Sequence, residues 1–407
     1  MELIDQDNLI LEKKVFLRNK IEERMVEGGF NSLSKFELFI WDLEMFLQLQ
    51  KKLADKIILK GGAATQFYVP ITSQRTSIDI DMICLASREV VHQVISEIEN
   101  EFASVDDYFK FRIYAPKNPK LCLDTLETYF LTVPSICHKQ ELFATQGKQE
   151  VKIEFIFSDD EYGINRIKNP KLFALETERE FGVLDFESLF ADKLTTLGPN
   201  TIGIPDDRSD EQVKQIYDVI TLFTSNLDLV LRNKELIKWN YEKVAQVECL
   251  IHDLKYDSHL LLEDMKVLVS RLKNIESDVG FLQLANDFQS LYLRKSVKRD
   301  KTEWAIVGYQ LDLLVDYIFI DDMNILMFRD IEELIRKLRF DHIQGPDRGK
   351  LIREVRTLLE ENFNDLTGLS QDLFKKWMDR IIWELVIFVD FHIIKEVLVE
   401  IIEDNRF

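Results

Sequence analysis

At 407 residues, 46% hydrophobic and 30% charged, the chain has the composition of folded globular protein and length enough for two domains, which excludes a largely disordered or fibrous chain. Its 72 acidic against 52 basic residues leave a formal net charge of −20, so a nucleic acid would have to be held by a local basic cluster and not by overall charge. The opening segment "MELIDQDNLILEKK" has no basic-then-apolar leader, and the most apolar late run, "IIWELVIFVDFHII", is interrupted by Glu384, Asp390 and His392. The expectation is a cytoplasmic protein without a membrane span, whose four cysteines (Cys84, Cys122, Cys137, Cys249) lack metal-ligand spacing and are buried thiols.

In chain order, "SLSKFELFIWDLEMFLQLQKKL" is the first strong helix. Ser34 and Glu37 fit a capping box, and Phe36, Phe39, Ile40, Leu43, Phe46 and Leu47 recur at helical spacing. A short strand from Ile57 to Lys60 runs into Gly61 and Gly62, and "AATQFYV" reads as a helix. Next comes a strand in which Asp79 and Asp81 alternate with Ile78, Ile80 and Met82, followed by a helix from Arg88 to Phe102. Three further strands are expected in "FKFRIY", "LETYFLTV" and "VKIEFIF"; in the first, Phe109, Phe111 and Ile113 form the apolar face. After Leu184 the pattern turns helical, with Asp185 as the N-cap of "DFESLFADKLTTL" and, beyond a loop, "EQVKQIYDVITLF". Seven of the eight prolines lie at or before Pro205, and long amphipathic segments fill the rest, with Trp304, Trp377, Trp383 and His392 read as bundle core. This is an α+β organisation: a mixed sheet flanked by helices over 1–225 and a helical bundle over 226–407.

Residues two apart on a strand point to one side, so Asp79 and Asp81 present both carboxylates to one face while the isoleucines take the other. Two carboxylates that close repel unless a cation lies between them, and Mg²⁺ takes one or two carboxylates together with substrate phosphates. Glycines between a strand and a helix let backbone N–H groups approach a phosphate. A phosphate cradle beside a metal site implies phosphoryl or nucleotidyl transfer. Singly, an Asp-x-Asp also marks a solvated strand edge and a Gly-Gly an ordinary turn; the order strand, Gly-Gly, helix, "RTSIDID" is what gives the pattern its specificity.

These residues resemble the nucleotidyltransferase superfamily with the DNA polymerase β-like fold, and most closely the AbiEii/AbiGii-type toxin family. The first motif of that family, a Gly-Gly or Gly-Ser pair and an Arg-x-Ser-x-Asp-x-Asp strand, is matched by Gly61, Gly62, Arg75, Ser77, Asp79 and Asp81. The resemblance implies a third carboxylate, Glu154 in "VKIEFIF", with Lys152 on its face; a helix lysine, Lys193; and Lys214 with Asp218 one turn on, beyond Arg208. Gly62 stands where the Gly-Ser form has serine, and Glu154 where aspartate is commoner. Without the resemblance, Lys193 and Lys214 read as solvated helix lysines, Asp218 as their ion-pair partner and Glu154 as an exposed strand residue.

The resemblance implies an enzyme that moves an NMP from an NTP to a cellular acceptor, with tRNA or another RNA favoured, as a toxin with a cognate antitoxin. Asp79, Asp81 and Glu154 are then the Mg²⁺ or Mn²⁺ ligands, and Lys193 and Asp218 complete the catalytic set. Lys60, Gly61, Gly62, Arg75, Ser77 and Lys214 bind nucleotide. The expected RNA contacts are the basic residues near the motifs: Lys110 and Arg112 on one strand face, Lys152, Lys193, Arg208 and Lys214. The competing expectations are a non-catalytic nucleotide-binding module that acts through its helical half, and a small-molecule nucleotidyltransferase of the antibiotic-modifying type.

Overall fold

The computed structural model describes residues 8–102, 108–114, 125–136, 148–320, 326–370 and 372–404; Cys122 and Cys137 lie outside them. Helix α1 (Arg18–Glu27) leads into α2 (Leu33–Leu53), whose N-cap is Ser32, its hydroxyl accepting from the Lys35 N–H. The expected Ser34/Glu37 capping box is not formed. Glu37 is fully buried and instead accepts from Trp41 Nε1, the Ile136 N–H and Gln149 Nε2, bonds worth more to a buried carboxylate than a helix cap. Leu43, Phe46, Leu47 and the other apolar positions of α2 join the sheet in one core, confirming the helical spacing.

Seven strands form one mixed sheet in the order β3-β4-β5-β2-β1-β7-β6, where β1 is Ile57–Lys60, β2 Asp79–Cys84, β3 Phe111–Ile113, β4 Leu126–Pro134, β5 Lys148–Phe157, β6 Ile164–Lys168 and β7 Glu180–Leu184. The inner pairs β2–β5 and β1–β7 are parallel and the remaining neighbours antiparallel. Between the strands lie the short α3 (Gly61–Thr65), α4 (Arg88–Glu101) and, after β7, α5 (Phe186–Thr195), which Asp185 caps by accepting from the Ser188 N–H. Strand β3 is shorter than its alternation implied. Phe109 has a positive φ of 57°, breaking the extended run, and Ile113 on the sheet edge is 53% exposed. β6 and β7 have no counterpart in the sequence reading: each has five residues, too few for period-two alternation to stand out.

The chain divides into two compact units, Met1–Tyr256 with Gln283–Lys298, and Asp257–Leu282 with Arg299–Phe407. The first therefore runs past residue 225. It contains α6 (Ser209–Ser225), α7 (Leu227–Arg232) and α8 (Lys234–Ile251), the last lying along α5. Asparagines fasten these helices: Asn226 Nδ2 donates to the Tyr68 carbonyl at 2.9 Å and Asn240 Nδ2 to Ser188 Oγ at 3.2 Å. The returning segment, which holds the end of α10 (Val279–Tyr292), is tied in by the Thr76 N–H donating to the Tyr292 carbonyl (3.1 Å) and the Lys295 N–H to the Gly29 carbonyl (3.0 Å).

The second unit is helical throughout its described residues, with α9 (Ser258–Lys273), the start of α10, α11 (Lys301–Phe319), α12 (Leu326–Leu338), α13 (Pro346–Phe363), α14 (Met378–Leu385) and α15 (Phe391–Asp404). Asp300 and Glu303 form a reciprocal capping box on α11. Trp304 and Trp383 are core, as expected; Trp377, at the N-cap of α14, is 70% exposed, and His392 is exposed because the apolar run breaks at 386–390 and Asp390 caps a new helix through the His392 N–H.

Candidate active site

Strand β2 sits between β1 and β5, so Asp81 is flanked in register by Lys60 on one side and Glu154 on the other, and Asp79 lies opposite Lys152. Ile80 and Met82 point into the core at 0% exposure, leaving Asp79 and Asp81 on the opposite, half-buried face. On that face Lys152 Nζ is 3.0 Å from Glu154 Oε2, and Thr128 Oγ1 donates to Glu154 Oε1 at 3.0 Å. Burial and the charges of Glu154 and Asp79 push the Asp81 carboxyl up to about 7. Glu154 goes the other way: burial opposes its charge, but Lys152 and the Thr128 hydroxyl outweigh that and lower it. The structure thus brings Asp79, Asp81 and Glu154 onto one face of adjacent strands. It does not close them into a cage, since among the described residues no three His, Cys, Asp or Glu side chains form a ready metal cluster. Two hard carboxylates on a rigid strand, with one holding excess proton affinity from burial and its acidic neighbours, fit a cation completed by substrate phosphates.

The Gly61–Gly62 turn packs directly on this face. Gly61 has φ +68°, and a Cβ there would lie 2.1 Å from Asp81 Oδ2; glycine is required on both counts. At Gly62 a Cβ would meet Arg75 Nη2 at 2.6 Å and Ser77 Oγ at 3.0 Å. Arg75 is 3% exposed and cannot easily yield, because its Nε and Nη2 both donate to Asp218, each at 2.7 Å. The absence of a Gly-Ser serine is therefore matched to a guanidinium occupying the space.

Asp218 is fully buried and takes a second cation, Lys193 Nζ at 2.9 Å, which also donates to Gln215 Oε1 at 2.7 Å. Burial alone would raise the Asp218 carboxyl; Arg75 and Lys193 hold it below the usual carboxylate range. Arg75, Lys193 and Asp218 are one buried network rather than solvated helix residues. Lys60 is committed elsewhere, to Asp192 at 2.7 Å. Lys214 turns toward Tyr292, 5.3 Å from the ring centre, and Lys35 lies 5.5 Å from the same ring. Asp42 of α2 is 1% exposed, neither of its oxygens has a hydrogen-bond partner, and burial with the charges of Asp79 and Asp81 raises its carboxyl well above the usual range. Lys35, Asp42, Asp192 and Tyr292 went unmarked in the sequence reading; only Asp42, a charge on an otherwise apolar helix face, left a local signal.

A profile described as nucleotidyl transferase AbiEii toxin, type IV toxin–antitoxin system, matches residues 46–291, more than half of the chain. The chain belongs to the AbiEii nucleotidyltransferase toxin family. As a member of the AbiEii family it is a nucleotidyltransferase, and the matched span runs from α2 through the sheet and α5 to α10. No curated protein matches it. Among solved structures it is similar to MenT4, a nucleotidyltransferase toxin from Mycobacterium tuberculosis H37Rv, at 13% identity and a TM-score of 0.42, covering 75% of this chain and 99% of that one. It is also similar to JHP933 from Helicobacter pylori, at 14% identity and a TM-score of 0.33, covering 69% and 94%. No described helix is long and apolar enough to cross a membrane.

Proposed function

We propose that this AbiEii-family chain transfers an NMP from an NTP to an RNA acceptor, tRNA foremost, in a divalent-metal-dependent reaction in the cytoplasm, as the toxin of a pair with a cognate antitoxin protein. The observation that carries the reading is the pairing of Asp79 and Asp81 on one strand face with the Gly61 turn seated on the Asp81 carboxylate. In the reaction the acceptor hydroxyl oxygen bonds to the α-phosphorus, the bond from that phosphorus to the bridging oxygen of the β-phosphate breaks, and pyrophosphate leaves. Asp79 and Asp81, with Glu154 beside them, would hold Mg²⁺ or Mn²⁺, which supplies charge neutralisation at the phosphates.

The residues of the chain do the positioning. Gly61 and Gly62 let the triphosphate approach the backbone, with Ser77 against the same turn. Arg75 and Lys193, fixed through Asp218, set a positive field beneath the phosphates, and Lys214 adds a further cation. Lys60, held by Asp192, supports the strand end next to Asp81. The acceptor proton passes to the Asp81/Glu154 carboxylate pair. The test is incubation with each α-labelled NTP, Mg²⁺ and a cell lysate, followed by separation into RNA, protein and small molecules. Label in the RNA fraction supports the reading; label in small molecules alone keeps the transferase and replaces the acceptor, and no label with any NTP sinks it.

A further inference from the structure

The face beside Asp79 holds two cations that, among the described residues, form no ion pair. Lys35, in the first turn of α2, and Lys214, on α6 one turn before Asp218, both approach the ring of Tyr292, with Nζ 5.5 Å and 5.3 Å from its centre. Among the described residues neither has a carboxylate at ion-pair distance. The acids that act on them do so from further off: Asp79 and Asp42 on Lys35, and Asp79, Asp210 and Glu211 on Lys214, with Glu211 already bound by Arg208. Burial and a neighbouring cation, Lys214 for Lys35 and Arg75 for Lys214, lower the proton affinity of both amines.

The ring between them is anchored and not incidental. The Tyr292 carbonyl accepts from the Thr76 N–H at 3.1 Å, between Arg75 and Ser77, and its ring stacks on Phe288 at 5.6 Å, which in turn meets Tyr217 at 5.6 Å. Desolvated like charges held together cost free energy that a multiply charged anion removes. We propose that Lys35 and Lys214, held about the Tyr292 ring, grip the terminal phosphates of the nucleotide substrate, which makes Lys35 a substrate-binding residue that no motif points to. Lys35 and Tyr292 both fall outside the span matched by the family profile. The inference rests on the nucleotidyl-transfer reading for the identity of the anion, while the anion site itself stands on the geometry.

The test is calorimetric titration of the full chain with inorganic tripolyphosphate in metal-chelated buffer, alongside a single-stranded RNA lacking a 5′ triphosphate. Lys35→Gln is expected to weaken tripolyphosphate binding by about tenfold, the scale of one charge-assisted hydrogen bond, while Lys35→Arg retains most of it. Tyr292→Phe keeps binding and Tyr292→Leu loses part of it; Lys51→Gln, at the far end of α2, serves as the charge-matched control and binds as the parent does. A Lys35→Gln protein that binds tripolyphosphate like the parent overturns the proposal, as does a parent that does not bind it at all. Loss of RNA binding with tripolyphosphate binding intact also overturns it, assigning the phosphates to an acceptor. Tripolyphosphate binding without label transfer from any NTP would instead end the transfer reading and leave this site standing.

Discussion

Asp81 meets Lys60 across one strand, Glu154 across the other and the Gly61 turn above, so its carboxyl is crowded by charge before any substrate arrives. Its proton affinity, raised to about 7, has a measurable consequence. At about pH 6 the apo carboxyl holds its proton, and a cation bound there must displace it; at about pH 8.5 it is already ionised. Mn²⁺ titrated by calorimetry in buffers of different ionisation heat should therefore release close to one proton at the lower pH and nearly none at the higher. Equal release at both would separate Asp81 from the metal. Asp42 makes a second residue-scale case. A carboxyl whose folded pKa is raised favours the fold below its unfolded pKa and progressively penalises it as pH climbs toward the folded value. Asp42→Asn removes that penalty, so its advantage over the parent in unfolding free energy, followed by denaturant titration, should grow as pH rises above the ordinary carboxylate range, by up to about 1.4 kcal/mol per pH unit while the folded carboxyl keeps its proton. A constant difference would show that Asp42 is ionised with a partner.

At the scale of elements, the elements that carry the site were readable because each is long or strongly patterned. The aspartate strand alternates cleanly, "VKIEFIF" sits wholly within β5, and Asp185 caps α5 as its position implies. The Ser34 capping box failed because the same Glu37 had a better use in the interior, a choice no local pattern reveals. Tyr292 reaches the motif loop from 216 residues away, through a backbone carbonyl whose side-chain identity is immaterial to the bond, which leaves nothing in the sequence to mark it. The α6 helix joins the motif loop through Asp218, which balances Arg75 and Lys193 together. Asp218→Asn leaves two buried cations short of one charge, and a loss of about 3–5 kcal/mol in unfolding free energy is expected from denaturant titration. A loss below about 1 kcal/mol would mean that the network is solvated.

For the molecule as a whole, the charge of −20 sets the terms on which an RNA acceptor can bind. Lys110 and Arg112 are exposed on the sheet edge, but Arg112 is shared with Glu150 at 3.2 Å and stacks 4.9 Å from the Phe130 ring centre, so part of that charge is already spoken for. RNA affinity should fall only shallowly with salt, with about one or two ions released, and Lys110→Glu with Arg112→Glu should weaken RNA while sparing NTP. A steep slope would point to a basic surface elsewhere. The sheet-bearing unit takes in α7, α8 and Gln283–Lys298, where Asn226 donates to the Tyr68 carbonyl, Asn240 to Ser188 of α5, and the returning segment bonds Thr76 and Gly29. Whether Asp79 and Asp81 carry the proposed transfer is decided by following α-labelled NTP onto the acceptor fraction with the parent, Asp79→Ala, Asp81→Ala and the double variant, each checked for an unchanged circular dichroism spectrum. Transfer should disappear in all three variants while the fold persists; full transfer by the folded double variant would show that these carboxylates are not the catalytic pair.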